Sequence, residues 1–132
     1  MDFTDKTIII TGGTRGIGAA MVNAFCNARA NVVVTGTKKT GVETLDVPDS
    51  QNNIQYHQLD YSSAESVKEF ISLVKGLDKV DVLINNAGVN KIESVTEISV
   101  DDWDWINAVN LRGPFLLTQA VSKTMKEQNF GK

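Results

Sequence analysis

Cysteine, histidine and tyrosine are scarce in these 132 residues, at one, one and two copies, and each shortage closes a line of chemistry. A lone Cys26 has no partner for an internal disulfide or a cysteine-rich metal cluster, so no metal site is expected. It falls on the core face of an expected helix, where a thiol packs as a small apolar group. Long apolar runs are also missing. The stretches present cover a few residues, against the ~20 that a bilayer span requires, and the N-terminus lacks a basic region leading into an apolar core. We therefore expect no membrane association and, by default, a cytoplasmic location. Nor is there an excess of one charge: 13 basic and 16 acidic residues give a formal net charge of -3. They are scattered along the chain, leaving no electrostatic footprint for nucleic acid. Internal repeats, low-complexity tracts and interdomain linkers are absent as well, so residues 1–132 read as a single unit long enough to bury a core.

What is present is an alternation of β-branched runs and amphipathic stretches, the pattern of parallel strands joined by crossover helices. Strands are expected at Thr7 to Thr11, Val32 to Thr35, Ile54 to Leu59 and Val80 to Asn85. Ile8-Ile9-Ile10 and Val32-Val33-Val34 are continuously apolar, which predicts burial on both faces of a sheet. Ile17, Ala20, Met21, Ala24, Phe25 and Ala28 recur at helical spacing, as do Val67, Phe70, Ile71 and Val74. Ser62 with Glu65, and Ser99 with Asp102, read as capping boxes. Residues Val100 to about Gln128 read as helical, with Leu117, Ala120, Val121, Thr124 and Met125 on one face. Gly113-Pro114 predicts a kink or two helices meeting near Asn110 to Gly113, and Gly131 is a candidate helix end. Right-handed crossovers arrange four strands in the order 3-2-1-4. The fold class is thus α/β, a Rossmann-like doubly wound parallel sheet that ends after the helix following strand 4.

In such a sheet a ligand lies outside the carboxyl ends of the strands, between strands 1 and 4. Thr11-Gly12-Gly13-Thr14-Arg15-Gly16-Ile17-Gly18 falls there, directly after the first strand and opening the first helix. Glycines allow a tight turn and close approach of backbone N–H groups to a pyrophosphate, whose charge the helix dipole favours. The glycine spacing, three residues and then one, differs from the G-x-G-x-x-G form.

Together with Asn85-Asn86-Ala87-Gly88 after the fourth strand, this turn resembles the short-chain dehydrogenase/reductase family over essentially the whole chain. Within it, the closest likeness is to bacterial 3-oxoacyl-acyl-carrier-protein reductases and related carbonyl reductases. The resemblance implies hydride transfer between NAD(P)H and a small-molecule carbonyl or alcohol. It assigns Gly12, Thr14, Gly16, Ile17 and Gly18 to the cofactor-binding turn, and Asp60 to the adenine amino group with Leu59 as a backbone neighbour. Asn86, Ala87 and Gly88 would lie along the nicotinamide ribose. Asn110 matches the catalytic-site Asn that kinks its helix and holds a water in a proton relay. Read from the residues alone, Asp60 also suits a plain turn and Asn110 a helix-interior amide bonded to backbone.

Charge decides the expected cofactor. An NAD-selective site places an acidic residue at the end of the second strand, where its carboxylate repels a 2′-phosphate. Here that position is Gly36, followed by Thr37, Lys38 and Lys39. Arg15 resembles the basic residue of NADP-preferring members, and Thr37 and Lys38 add donors, so NADP(H) is expected over NAD(H).

The family's Tyr, the Lys four positions later and the Ser have no counterparts. Tyr56 and Tyr61 are followed at that distance by Asp60 and Glu65, so neither pair fits; Tyr56 and the mid-strand His57 read as sheet residues, and Tyr61, beside Asp60, is no better placed. A positioned acid or base contributes roughly 10² to 10⁴ in rate, so the chain alone is expected to be inactive. Without a fifth strand, the edge at Val80 to Ile84 is expected to stay open and to self-pair or aggregate. The family likeness further implies a homo-oligomer formed through the helix over 110–128. The competing reading is a non-catalytic dinucleotide-binding regulatory module; a gene product without function is a third.

Overall fold

The computed structural model describes residues 2–41, 45 and 53–132. Along the chain lie β1 (Thr7–Ile10), α1 (Gly16–Asn27), β2 (Asn31–Gly36), β3 (Ile54–Gln58), α2 (Ala64–Lys75), β4 (Val82–Ile84), α3 (Val100–Asn107), a π-helical turn (Ala108–Arg112) and α4 (Gly113–Glu127). The strands form one parallel sheet in the order β3-β2-β1-β4. Ile8 stands opposite Val32 on one side and Val82 on the other. This is the expected Rossmann-like α/β arrangement, and its physical origin lies in the two apolar triplets. Ile9 and Val33 face a core shared with Phe70, Val74, Leu117 and Val121 of α2 and α4. Ile8, Ile10, Val32 and Val34 face Val22 and Cys26 of α1 on the opposite side. Alternate residues of each strand are therefore buried by different helices, so no position of the triplets can be polar.

Three local expectations need correction. The buried stripe of α1 is Gly18, Val22 and Cys26, while Ile17, Ala20 and Ala24 are exposed. Gly18 sets that rotation: a Cβ there would lie 2.3 Å from the carbonyl oxygen of Gly12, so the helix is turned to press this glycine on the loop. The cap of α2 is Ser63, whose Oγ accepts from the Ser66 N–H at 3.3 Å. Ser62 instead donates its N–H and hydroxyl to Asp60 Oδ1, at 2.9 and 2.6 Å. Ser99 does cap α3, accepting from the Asp102 N–H at 3.1 Å.

The C-terminal end of the chain also departs from expectation. Helix α4 stops at Glu127, before Gly131, and Asn129 takes the left-handed turn at φ 55°. The Gln128 side chain then holds both backbone groups of Val80, accepting from its N–H at 3.3 Å and donating to its carbonyl at 2.6 Å. Strand β4 is shorter than expected, and its outer edge is not wholly open. Lys132 donates its N–H to the Asp81 carbonyl at 3.0 Å and accepts from the Leu83 N–H at 2.9 Å.

The interruption expected near Asn110 to Gly113 is the π-helical turn. Pro114 follows in the first turn of α4, where its missing N–H interrupts the helical ladder that runs on from the π turn. Asp81, buried beneath β1, accepts from the Thr7 N–H at 2.9 Å and the Lys6 ammonium at 3.0 Å. Burial pushes its carboxyl up, but those partners outweigh it and hold the group below the ordinary value. No helix among the described residues is long and apolar enough to cross a membrane.

Candidate cofactor site

Thr11, buried completely at the end of β1, joins two loops. Its Oγ1 accepts from the N–H groups of Asn86 and Ala87, both at 3.0 Å. Asn86 returns its side-chain amide to the carbonyls of Thr11 and Gly12, at 3.0 and 3.1 Å. The segment after β4 is thus stitched to the turn after β1 at the carboxyl ends of the central strands. Gly12 sits at φ 65° against Ala87, where a Cβ would come within 2.9 Å of the Ala87 Cα. Only glycine meets both demands.

The two glycine N–H groups nearest the sheet are spent inside the protein. Gly13 donates to the Thr35 carbonyl at 2.9 Å and Gly12 to the Thr35 hydroxyl at 3.3 Å. Polar surface for a ligand lies one step further, at the start of α1. Its N-cap, Arg15, contributes no side-chain cap, and its first turn holds no acidic residue, in contrast to α2 and α3. Arg15, Gly16 and Ile17 are exposed, and a Cβ on Gly16 would meet nothing within 4 Å. A backbone-lined, uncapped helix start of this kind suits a diphosphate.

Around this turn the other expected residues take separate stations. Thr14 packs on the C-terminal end of β2, its Cγ2 2.9 Å from where a Gly36 Cβ would stand. Thr37 and Lys38 are exposed just beyond. Leu59 is buried and donates its N–H to the Gly36 carbonyl at 2.8 Å, and Asp60 follows with Oδ1 closing the turn to Ser62. Gly88 lies beside Asn110, with 3.5 Å between its would-be Cβ and Asn110 Oδ1. The Asn110 amide clamps Val89, accepting from its N–H at 2.8 Å and donating to its carbonyl at 2.7 Å. The structure therefore brings the glycine turn, Asn86 to Gly88 and Asn110 onto one end of the sheet, with Asp60 and the residues after β2 at its far side.

The surroundings of Tyr61, His57 and Tyr56 emerge only from the folded chain. Tyr61 is a core residue: its ring occupies the space over Gly113, where a Cβ would lie 2.2 Å from Cδ1. Its hydroxyl has no partner in hydrogen-bond geometry among the described residues, and burial pushes the phenol up to about 12, the nearby Thr11 hydroxyl offsetting this only in part. At 5% exposure the side chain is also out of a ligand's reach. His57 is similar: its ring lies against Phe70, its Nε2 has no partner among the described residues, and burial pushes its pKa down. Tyr56 does more than fill β3, since its hydroxyl donates to the Lys38 carbonyl. Only the close approach of the β2 and β3 ends reveals that contact.

A parallel sheet of order 3-2-1-4 with a glycine turn at its switch point defines a Rossmann-like α/β protein. The chain belongs to the short-chain dehydrogenase family, whose model matches residues 6–132. It is 33% identical over 133 residues to a 3-oxoacyl-acyl-carrier-protein reductase of Aquifex aeolicus, covering 96% of this chain and 53% of that protein. It is also 33% identical over 129 residues to a D-threitol dehydrogenase of Mycolicibacterium smegmatis, covering 96% and 50%. The chain spans about half the length of these curated relatives. A crystal structure of a metagenomic short-chain oxidoreductase in complex with NADP superposes with a TM-score of 0.89 at 27% identity, over 98% of this chain and 60% of that one.

Proposed function

We propose that this chain holds NADP(H), in preference to NAD(H), for an oxidoreductase that reduces a carbonyl or oxidises an alcohol in the manner of a 3-oxoacyl reductase. The observation that carries the reading is the uncapped, glycine-opened start of α1 beside the Thr11 to Asn86 stitch. The reductase relative from Aquifex aeolicus and the NADP-bound neighbour support the substrate class and the cofactor.

Gly12, Thr14, Gly16, Ile17 and Gly18 form the diphosphate turn, and Arg15, Thr37 and Lys38 face the 2′-phosphate. Leu59 and Asp60 flank the adenine. Asn86, Ala87 and Gly88 line the ribose next to the nicotinamide, and Asn110 fixes that loop from the π-helical turn. The bound cofactor supplies the hydride. The residues of this chain hold and orient it, and by themselves offer no Tyr-Lys pair for the accompanying proton.

Calorimetric titration of the 132-residue chain should give a lower Kd for NADPH than for NADH. An equal or tighter NADH value would sink the preference, and no heat from either would sink the cofactor assignment. Supplied with a ketone, the same preparation should oxidise NADPH no faster than buffer does.

A further inference from the structure

Two side chains of β3 act on the loop that follows β2. Tyr56 and Gln58 are two positions apart, so they project from the same face of the strand. The Tyr56 hydroxyl donates to the Lys38 carbonyl at 2.5 Å, and Gln58 Nε2 donates to the Thr37 carbonyl at 2.9 Å. Consecutive carbonyls are therefore both pulled toward β3. The peptide bonds are trans, and in a trans peptide the N–H points opposite to the C=O. The Lys38 and Lys39 N–H groups consequently face away from β3, on an exposed loop that also carries the Thr37 hydroxyl and two ammonium groups.

The tyrosine ring also fixes where this loop sits. A Cβ on Gly36 would lie 3.0 Å from the Tyr56 hydroxyl and 2.9 Å from Thr14 Cγ2. One on Gly41 would lie 2.7 Å from Tyr56 Cε2 and 3.0 Å from the same Thr14 carbon. Gly36 and Gly41, the two ends of the stretch 36–41, are thus held between Tyr56 and Thr14 of the glycine turn, which precedes Arg15. Successive N–H groups turned outward among cations make an anion-binding surface, whereas a peptide rotated the other way would present a carbonyl oxygen that repels an anion.

We propose that Tyr56 and Gln58 are positioning residues for cofactor choice: by holding the Thr37 and Lys38 carbonyls on β3, they aim the following N–H groups at a phosphomonoester on the adenine ribose. This rests on the proposed NADP(H) preference and explains how an otherwise exposed loop acquires it. Neither residue touches the ligand.

The test compares the full chain with Tyr56→Phe and Gln58→Ala, titrating each with adenosine 2′,5′-bisphosphate and with 5′-AMP, after circular dichroism has matched the folds. Losing one such bond should weaken binding of the bisphosphate roughly three- to tenfold in each variant, with 5′-AMP affinity staying within about twofold. Unchanged selectivity in both variants overturns the assignment, and so does an equal loss for the two nucleotides, which would mark a merely structural role. A wild-type chain that binds the two nucleotides equally overturns the NADP(H) preference itself and this inference with it. A selective wild type with selective variants overturns only the inference.

Discussion

Gly16 and Gly18 stand two positions apart in the same turn and serve different ends, which makes them separable by substitution. Gly16 has φ 55° and open space around it, so Gly16→Ala costs only backbone strain, about 1–2 kcal/mol. Gly18→Ala drives a methyl into the Gly12 carbonyl and to within 2.7 Å of Asn86 Nδ2, breaking the stitch between the loops as well as overpacking it. We expect the second variant to unfold at a clearly lower urea concentration, and the reverse order would contradict the geometry. Tyr61 offers the opposite case. Its buried hydroxyl lacks a partner among the described residues, and such a group opposes folding, so Tyr61→Phe should leave the thermal midpoint unchanged or raise it. A fall of several degrees would show that the hydroxyl is bonded after all. The glycines were legible in the sequence because turn, strand and helix adjoin there. Tyr56 and Tyr61 were not, since a tyrosine in or beside a strand looks alike whether its hydroxyl anchors a loop or is stranded over Gly113.

At the level of the elements, the sheet could be read almost completely: strand positions, order and parallel direction follow from apolar triplets and the intervening helices. Helix faces were less legible. Periodicity placed the α1 stripe on Ile17 and Ala20, but the rotation is fixed by Gly18 pressing on Gly12, a contact that spacing does not contain. Likewise, neighbouring serines compete for the α2 cap, and Asp60 decides the matter by drawing Ser62 into its turn. The join between β1 and β4 carries a pH dependence. Asp81 has its folded pKa held below the ordinary 3.8, so its stabilisation is complete above that value and is lost as pH falls below it. The contribution is about 1–2 kcal/mol, limited by water around the half-exposed Lys6. Denaturant midpoints measured from pH 6 down should therefore converge for wild type and Asp81→Asn. Parallel curves would remove the ion pair from the account.

For the molecule as a whole, the apolar surface is unevenly spent. Leu111 and Phe115 are 67% and 59% exposed at the start of the segment 110–128, and Trp103 is 60% exposed on α3 nearby in sequence. Large apolar side chains left in water favour self-association, and we expect light scattering to give a mass at least twice 14.4 kDa, reduced toward one chain by Phe115→Lys. A clean monomer at high concentration would exclude this. Lys132, meanwhile, gives the rim of β4 both a polarity and a phase. With its amide on the Asp81 carbonyl and its carbonyl on the Leu83 N–H, it meets β4 in the parallel sense and fills that two-residue step. A strand from another molecule, whichever way it runs, would first have to evict the lysine, so this part of the rim is a poor surface for indiscriminate cross-β stacking.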